Sequence, residues 1–587
     1  MHDFVIRDAR VIDGTGRDAF AADVAIKDHK VVDIGSIASR GTREIHAAGR
    51  YLMPGWVDIH THYDGQALWD PYLSPSGWHG VTTAIMGNCG VGFAPLRSEQ
   101  REWAIELMEG VEDIPGAVLR EGVRFTWEDF PGYLDALDQL PHAMDIGAQV
   151  PHAAVRVYVM GDRGRRREKA SSEDLASMSQ VVKQAIEAGA LGFSSSRALV
   201  HRSSKGEAVP SLDVSGDEYR AIAQGLAEAG KGVIQMISDF ADLESEFAIM
   251  KDAAKLSGRP LSFTLLEQGQ YPDRWRDILK RVEAAQADGL NMRAQVSCRP
   301  IGLMLGLQCS MSPFMYAKAY LDLAHLDLPQ RVQALRQASV KAAILADQPK
   351  PETLRLQRLT LAHDRHFPLH DQFTYEPAPN ESVAALAKAE GRDPREFMYD
   401  YMLRHEGKQL FYFPLHNYEH GDLESVRTMM THPFSLLGLG DGGAHNGYIC
   451  DSSFPTFLIT HWARDRQRGK RLRLEDLVKA QTYTNAVAIG LDDRGVIAPG
   501  MKADLNLVDF DRLRLTMPEQ VCDLPGGGRR FVQRSEGYDY TWVNGAVVYE
   551  EGHATGEMPG RLIRGAQGFN KHEARSDKHE ARSDLLI

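Results

Sequence analysis

Two histidines separated by one residue follow an apolar run near the start of the chain, which reads Tyr51-Leu-Met-Pro-Gly-Trp-Val-Asp-Ile-His-Thr-His-Tyr-Asp64. Residues i and i+2 of an extended strand project from the same face, so His60 and His62 can converge on one cation. Two neutral imidazoles are a normal share of the ligands of a catalytic zinc ion. A chain with 22 histidines contains about one such pair by chance, so the pair gains weight only from its context.

An aspartate and a cysteine elsewhere in the chain could complete such a site. Asp441 lies in Gly438-Leu-Gly-Asp-Gly-Gly-Ala-His445, where glycines allow tight turns and the close approach of a substrate. Its carboxylate can bind a metal and accept the proton of an attacking water, or instead cap a helix or a turn. Cys89, in Gly87-Asn-Cys-Gly90, is either a thiolate ligand or a small core residue. We predict His60, His62, Asp441 and Cys89 as metal ligands, with Asp441 as the catalytic base.

Further polar residues follow the predicted strands and are candidates for binding a substrate. Arginines can hold a carboxylate with two parallel hydrogen bonds, although structural ion pairs are their more common use. Histidines at these positions can bind the substrate or act as acids, or can be structural. The predicted substrate-binding residues are His152, Arg197, His201, Arg299 and His445, and Arg156 is a further candidate for the carboxylate.

A repeated order of helix, glycine and strand indicates the fold that positions these residues. Four consecutive units have helices over 172–188, 217–229, 243–257 and 273–288, each followed by a strand, over 190–196, 232–238, 260–266 and 290–298. Such units form a parallel sheet with crossover helices. Strands over 55–62, 81–87, 144–150 and 435–441 bring the total to eight. We therefore predict an α/β fold, a (β/α)8 TIM barrel with insertions.

The remaining segments divide the chain into further predicted parts. Short β-rich runs at both ends indicate one small β-sandwich, built from residues 1–54 and 485–560, around a barrel at 55–484. The span from His62 to Asp441 exceeds the roughly 250 residues of a plain barrel. The insertion over 299–433 is expected to be a helical lid or wall over the barrel mouth, or an oligomer interface. The polar stretch 561–587, which contains a tandem repeat, is expected to be disordered.

Composition limits the classes of function. The net charge of −13 argues against nucleic acid and anionic membrane partners, because both bind Lys and Arg. No apolar stretch approaches the length of a membrane span, and five scattered cysteines argue against a disulfide framework. We expect a cytoplasmic protein that acts on a small molecule, and a homo-oligomer.

Several motifs together resemble one family over nearly the whole chain up to about residue 560. They are the opening β-rich unit, the run over 53–64, Gly87–Gly90, Met108-Glu-Gly-Val-Glu-Asp-Ile-Pro115, Gly438–His445 and the run over 495–504. The chain resembles the amidohydrolase superfamily, in particular its D-aminoacylase or N-acyl-D-amino-acid deacylase branch. The resemblance implies a β-sandwich, a (β/α)8 barrel and zinc-dependent amide hydrolysis. It matches His60 and His62 to the His-x-His pair, Cys89 to a cysteine that can bridge metals, and Asp441 to the base.

The chain also departs from this branch, whose known members have histidines on strands five and six. Here the runs over 233–239 and 261–267 contain no histidine, and strand four offers no lysine. We therefore expect a single zinc ion, which makes hydroxide available at neutral pH. The favoured function is deacylation of an N-acyl amino acid or related N-acyl amine. A cyclic amide hydrolase of the hydantoin or lactam type and a metal-free binding homologue are the alternatives.

Overall fold

A computed structural model describes residues 1–347, 359, 361–371 and 373–566. Its central element is a sheet of eight parallel strands that pair in chain order. The strands are β1 (Trp56–Asp58), β2 (Val81–Met86), β3 (Asp145–Pro151), β4 (Gly192–Arg197), β5 (Val233–Ser238), β6 (Leu261–Thr264), β7 (Met292–Val296) and β8 (Ser435–Leu437).

The sheet closes into a barrel between its first and last strands. Thr61 and Gly442 pair in parallel just beyond β1 and β8. The backbone N–H of His62 donates to the Gly442 oxygen at 2.7 Å, and the N–H of Asp441 donates to the His60 oxygen at 3.1 Å. Asn485 Nδ2 also joins the two strands, because it donates to the backbone oxygens of Val57 in β1 and Leu437 in β8. The predicted (β/α)8 barrel is thus confirmed.

The barrel strands are buried on both faces, as expected for parallel strands covered by helices. Every residue of β2 and β3 is buried. The helix Ser172–Ala188 illustrates how local sequence sets the helix boundaries. Ser171 and Asp174 form a reciprocal capping box at its start, and Gly189 follows its end. The helices between or after the strands are Arg101–Glu112, Gly116–Gly122, Phe130–Asp138, His152–Met160, Asp162–Arg165, Ser172–Ala188, Gly216–Ala229, Leu243–Ser257, Arg274–Ala287, Glu424–Met430, Phe454–Thr460, Leu474–Lys479 and Asn485–Ala488.

The regular strands are shorter than predicted at the barrel mouth. β1 ends at Asp58 and β8 at Leu437, whereas the predicted strands reached His62 and Asp441. Leu439 and Asp441 have φ values of 62° and 43°, which a strand cannot accommodate. The prediction that these residues lie within strands is therefore wrong. They lie in the loops that leave the strands.

The two ends of the chain meet in one nine-stranded sheet. Tyr51–Pro54 pairs antiparallel with Leu505–Val508, and the core beside them includes Leu52, Leu505 and Trp542. The strands of this sheet are His2–Val11, Phe20–Lys27, Lys30–Gly35, Gly41–His46, Tyr51–Pro54, Leu505–Val508, Tyr538–Val543, Ala546–Glu550 and His553–Ala554.

The C-terminal segment departs from its predicted structure in two places. Part of 485–560 leaves the nine-stranded sheet, because Glu519–Leu524 and Gly528–Val532 form a separate hairpin. The chain beyond residue 560 continues along β3, where Ile563 N donates to the Ile146 oxygen at 2.7 Å and Ile563 is buried. Disorder from residue 561 is thus wrong for residues 561–566. The tandem repeat lies outside the described residues.

The insertion between β7 and β8 contains a sheet as well as helices. It contains three antiparallel strands, Ile301–Leu305, Phe367–Pro368 and Phe411–His416. Helices between residues 318 and 407 pack around these strands in a hydrophobic core that is separate from the core of the barrel. The predicted all-helical character is therefore incomplete. Backbone hydrogen bonds join the insertion to the loop after Asp441, from Met304 N to the Tyr448 oxygen and from Ser310 N to the Gly447 oxygen. The helices here are Lys318–Leu321, Leu328–Leu335, Ala338–Ala346, Val383–Ala389, Pro394–Met402 and Arg404–Gly407.

Across the described ranges, no helix combines the length and apolar character needed to cross a membrane.

Asp145, at the first position of β3, connects the barrel to the C-terminal segments. Its Oδ2 accepts hydrogen bonds from Arg494 and Lys502, and its Oδ1 accepts one from the Arg561 N–H at 3.0 Å. Burial would raise the pKa of Asp145, but Lys502 and Arg494 lower it to about 2. Because this pKa lies below the ordinary 3.8, the carboxylate stabilises the fold above that pH, and its contribution is lost as the pH falls towards 2.

Replacing Asp145 by Asn should lower the thermal unfolding midpoint. The variant removes the carboxylate that the buried Arg494 and Lys502 share, although each cation keeps one other carboxylate, Asp493 and Asp504 respectively. We therefore expect a cost towards the lower end of the about 3–5 kcal/mol of a broken buried ion pair. Circular dichroism melts at neutral pH measure the loss, and Asp217→Asn, in an exposed pair with Arg220, should change the midpoint little. The difference in unfolding midpoint between Asp145→Asn and the unaltered chain should become smaller as the pH falls from 3.8 towards 2. A difference in unfolding midpoint that does not change with pH would contradict this role of the Asp145 carboxylate.

Candidate functional site

Three predicted ligands converge at the barrel mouth. His60, His62 and Cys89 are buried, and each offers a ligand atom within 4.8 Å of the others. The Cys89 Sγ lies 3.3 Å from His60 Nε2. The chain thus collects two imidazoles and a thiol from the ends of two neighbouring strands.

The imidazole of His60 is held in one orientation by a glutamine of β7. Its Nδ1 lies 2.7 Å from Gln295 Oε1, an acceptor, so Nδ1 carries the proton and donates it. Gln295 Nε2 in turn donates to Ser262 Oγ at 2.8 Å. Burial lowers the pKa of His60 to about 4, so the ring is neutral at pH 7. The Nε2 lone pair is therefore available to a cation.

The carboxylate of Asp441 faces the same point as the two histidines. Its Oδ1 lies 3.5 Å from His60 Nε2 and 3.7 Å from His62 Nε2. Burial would raise the pKa of Asp441, but the neighbouring imidazoles of His62 and His60 hold it well below its usual range. Among the described residues, this buried oxygen has no well-aligned hydrogen-bond partner. Imidazole, thiolate and carboxylate donors around an unsatisfied oxygen fit a zinc ion.

The glycines around Cys89 are required by close backbone packing. Cys89 has a φ of 54°, and Gly87 and Gly90 have φ of 77° and 69°. A Cβ at Gly87 would lie 2.2 Å from the Gln149 carbonyl oxygen, and one at Gly90 would lie 2.7 Å from the Ser195 Cα. The Gly-Asn-Cys-Gly motif is therefore a tight turn that carries the thiol to the site.

A glutamine of β5, Gln235, supports this turn. The Cys89 N–H donates to Gln235 Oε1 at 2.8 Å. Burial raises the pKa of the Cys89 thiol to about 11. A thiolate at this position therefore needs a cation beside it.

Sequence reasoning missed Glu112, the last residue of the helix Arg101–Glu112. Its side chain is 1% exposed, and its Oε1 lies 3.2 Å from His62 Nδ1 without the alignment of a full hydrogen bond. Burial raises the pKa of Glu112 to about 7. Burial alone would lower the pKa of His62, but Glu112, Asp441 and Cys89 raise it well above its usual value. The available signal was the acidic pair Glu112–Asp113 at the end of a largely apolar helix.

Two of the predicted substrate-binding residues lie near the cluster. His201 Nδ1 is 2.7 Å from Ser196 Oγ, and burial together with His62 and His445 lowers the pKa of His201 to about 3. His445 has a φ of 54°, and its Nε2 lies 4.0 Å from Glu112 Oε2. Both rings are close enough to the ligand cluster to interact with it electrostatically.

The other predicted substrate-binding residues have structural partners. His152 Nδ1 and Nε2 lie 2.8 Å from Ser195 Oγ and 2.9 Å from Glu218 Oε1, so both ring nitrogens are occupied. Arg156 also pairs with Glu218. Both side chains thus contact β4 or the helix Gly216–Ala229, and their binding of a substrate stays a prediction.

The remaining two arginines are likewise engaged in ion pairs. Arg197 makes two parallel hydrogen bonds to Glu246, at 2.5 and 2.7 Å. Arg299 is buried, pairs with Asp451 at 3.0 Å and lies over the Tyr375 ring at 3.7 Å. Both guanidinium groups are thus engaged in internal contacts, and their binding of a substrate stays a prediction.

Comparison with known proteins shows the family of the chain. The Amidohydrolase family model matches residues 43–549. The chain is 26% identical over 568 residues to the N-acyl-D-aspartate deacylase of Alcaligenes xylosoxydans xylosoxydans, a match that covers 96% of this chain and 95% of that protein.

Two solved structures share the fold. D-aminoacylase, studied for the functional role of its binuclear metal center, superposes with a TM-score of 0.64 at 21% identity, over 97% of this chain and 100% of that chain. N-acyl-D-glutamate deacylase from Bordetella bronchiseptica, complexed with zinc and a phosphonate inhibitor, gives a TM-score of 0.63 at 21% identity, over 96% and 99% of the two chains. Because the family model spans most of its length, the chain belongs to the amidohydrolase family.

Proposed function

We propose that this chain is a zinc-dependent hydrolase that cleaves the C–N bond of an N-acyl amino acid or a related N-acyl amine. The observation that carries the proposal is the convergence of His60, His62 and Cys89 with the unsatisfied Oδ1 of Asp441. The N-acyl-D-aspartate deacylase relative, and the solved deacylase that holds zinc with a phosphonate inhibitor, support this substrate class.

His60, His62 and Asp441, with Cys89 as the fourth donor, would hold one zinc ion. A bound zinc ion lowers the pKa of water from about 15.7 towards 7 and polarises a carbonyl oxygen. The protein fixes the donors beforehand, since Gln295 orients His60 and the tight turn carries Cys89. Fixed donors lose little conformational freedom when the ion binds.

Asp441 is the proposed general base. Its pKa is held well below its usual range, so its carboxylate is ionised at neutral pH and can accept the proton of an attacking water. The same carboxyl group can then donate that proton to the leaving nitrogen. Its left-handed backbone, at φ 43°, is held by the hydrogen bond from its N–H to the His60 oxygen.

The mouth of the barrel offers two histidines for contact with the substrate. His201 and His445 interact electrostatically with the ligand cluster and can hydrogen-bond an amide or a carboxylate. The insertion joins the loop of His445 through Ser310, and we assign it the wall of the acyl pocket.

A substrate panel on zinc-loaded protein tests the proposed reaction. N-acyl-D-amino acids and N-acyl-L-amino acids are assayed beside hydantoins and lactams, and release of the free amine is measured. We expect turnover of N-acyl amino acids because N-acyl-D-aspartate deacylase, a relative whose match covers 96% of this chain, acts on this class of substrate. Turnover restricted to the cyclic amides would replace the proposal.

Removing both histidines of the pair should abolish zinc binding. The double variant His60→Asn with His62→Asn lacks two of the four proposed donors, and elemental analysis after zinc loading measures the bound metal. His553→Asn, which alters an exposed histidine of the nine-stranded sheet, is the control and should keep the unaltered zinc content. Full zinc content in the double variant would exclude this cluster as the site.

Replacing Asp441 by Asn should lower kcat by about 10²–10⁴-fold, the usual contribution of a general acid or base. Zinc content is measured on the same samples, so that loss of metal is separated from loss of the proton acceptor. A circular dichroism melt of each sample confirms that the fold is retained. Near-normal turnover by a zinc-loaded Asp441→Asn protein would remove this residue from the role of base.

A further inference from the structure

Glu112 occupies a position that is unfavourable for a carboxylate. It is 1% exposed and ends the helix Arg101–Glu112, where the helix dipole repels negative charge. Burying an ionised carboxylate is costly unless it is paired. Its oppositely charged neighbours among the described residues are imidazoles, those of His62 and His445. Neither helix stability nor core packing explains an acid at this position.

The two nitrogens of His62 face different groups. Nδ1 lies 3.2 Å from Glu112 Oε1, whereas Nε2 lies 3.7 Å from Asp441 Oδ1 on the side of the proposed ligands. His60 is arranged in the same way, because its Nδ1 donates to Gln295 Oε1 and its Nε2 faces Asp441. Each imidazole thus has a hydrogen-bond acceptor facing its Nδ1 atom. The difference is that the acceptor is a neutral amide for His60 and a carboxylate for His62.

Glu112 also contacts the loop that carries Asp441. Its backbone oxygen accepts the His445 N–H, and its Oε2 lies 4.0 Å from His445 Nε2. The next residue, Asp113, accepts the Gly447 N–H at 2.8 Å through its side chain. The end of this helix therefore connects one proposed metal ligand to the loop of another.

We propose that Glu112 is a positioning residue of the metal centre. Its carboxylate acts as the hydrogen-bond acceptor for the Nδ1–H group of His62, which leaves Nε2 as the ligating atom. Its negative charge also makes the His62 imidazole more electron-rich than that of His60. Carboxylates behind metal-bound histidines act in this way, and removing them weakens metal binding by about 10–100-fold. The inference rests on the proposed zinc site.

The test compares zinc affinities of the full-length chain and its variants by competition with a chromophoric chelator. Glu112→Gln keeps the shape and the backbone contact to His445 but removes the charge, so its zinc dissociation constant should rise about 10–100-fold. Glu106→Gln is the matched control, because Glu106 is a buried acid of the same helix that pairs with Lys205 and not with a histidine. Its zinc affinity should equal that of the unaltered chain.

Glu112→Asp provides a second, charge-retaining variant, and thermal melts of the metal-free proteins report folding. We expect Glu112→Asp to bind zinc more tightly than Glu112→Gln. Zinc affinity of Glu112→Gln equal to that of the unaltered chain, or Glu112→Asp binding more weakly than Glu112→Gln, would overturn the inference. Absence of zinc binding by the unaltered chain would instead refute the proposed function. The two failures are therefore distinguishable.

Discussion

The contact on which the site depends is the closure of the barrel between β1 and β8. Two backbone hydrogen bonds, from Asp441 N to the His60 oxygen and from His62 N to the Gly442 oxygen, join loops that are far apart in the sequence. Without closure, the carboxylate could not face both imidazoles. The short strands help, because the chain leaves the regular ladder after Asp58 and Leu437 and is free to turn its side chains towards the centre.

Buried acids surround this closure and support the backbone that carries the ligands. Asp58 Oδ1 accepts the His60 N–H at 3.1 Å, and Asp64 Oδ2 accepts the Gly87 N–H at 3.1 Å. Burial raises the pKa of each of these carboxyl groups to about 7. A bound cation stabilises acids and imidazoles that are packed together without solvent. Metal binding and the local fold of the mouth are therefore expected to be coupled.

The mouth is assembled from segments that the sequence separates widely. Two segments donate backbone hydrogen bonds to the loop after Asp441. The insertion donates from Ser310 N, and the C-terminal hairpin donates from Phe531 N to the Asn446 oxygen at 2.7 Å. The helix that ends at Glu112 reaches the same loop through His445. The three contacts hold a loop whose left-handed residues would otherwise be strained. The insertion and the C-terminal segment thus both hold the loop that follows Asp441.

The sequence by itself determined the eight strands, their order, and the candidates His60, His62, Cys89 and Asp441, because apolar periodicity and glycine placement are local signals. These four side chains converge as predicted, although His60, His62 and Asp441 lie in the loops after the strands and not within them. Only the tertiary structure decided their partners: the amide behind His60, the acid Glu112 behind His62, and the ion pairs that occupy Arg197 and Arg299. Ion pairs and hydrogen bonds of this kind join elements distant along the chain, and no local pattern of residues encodes which side chains packing will bring within 3 to 4 Å.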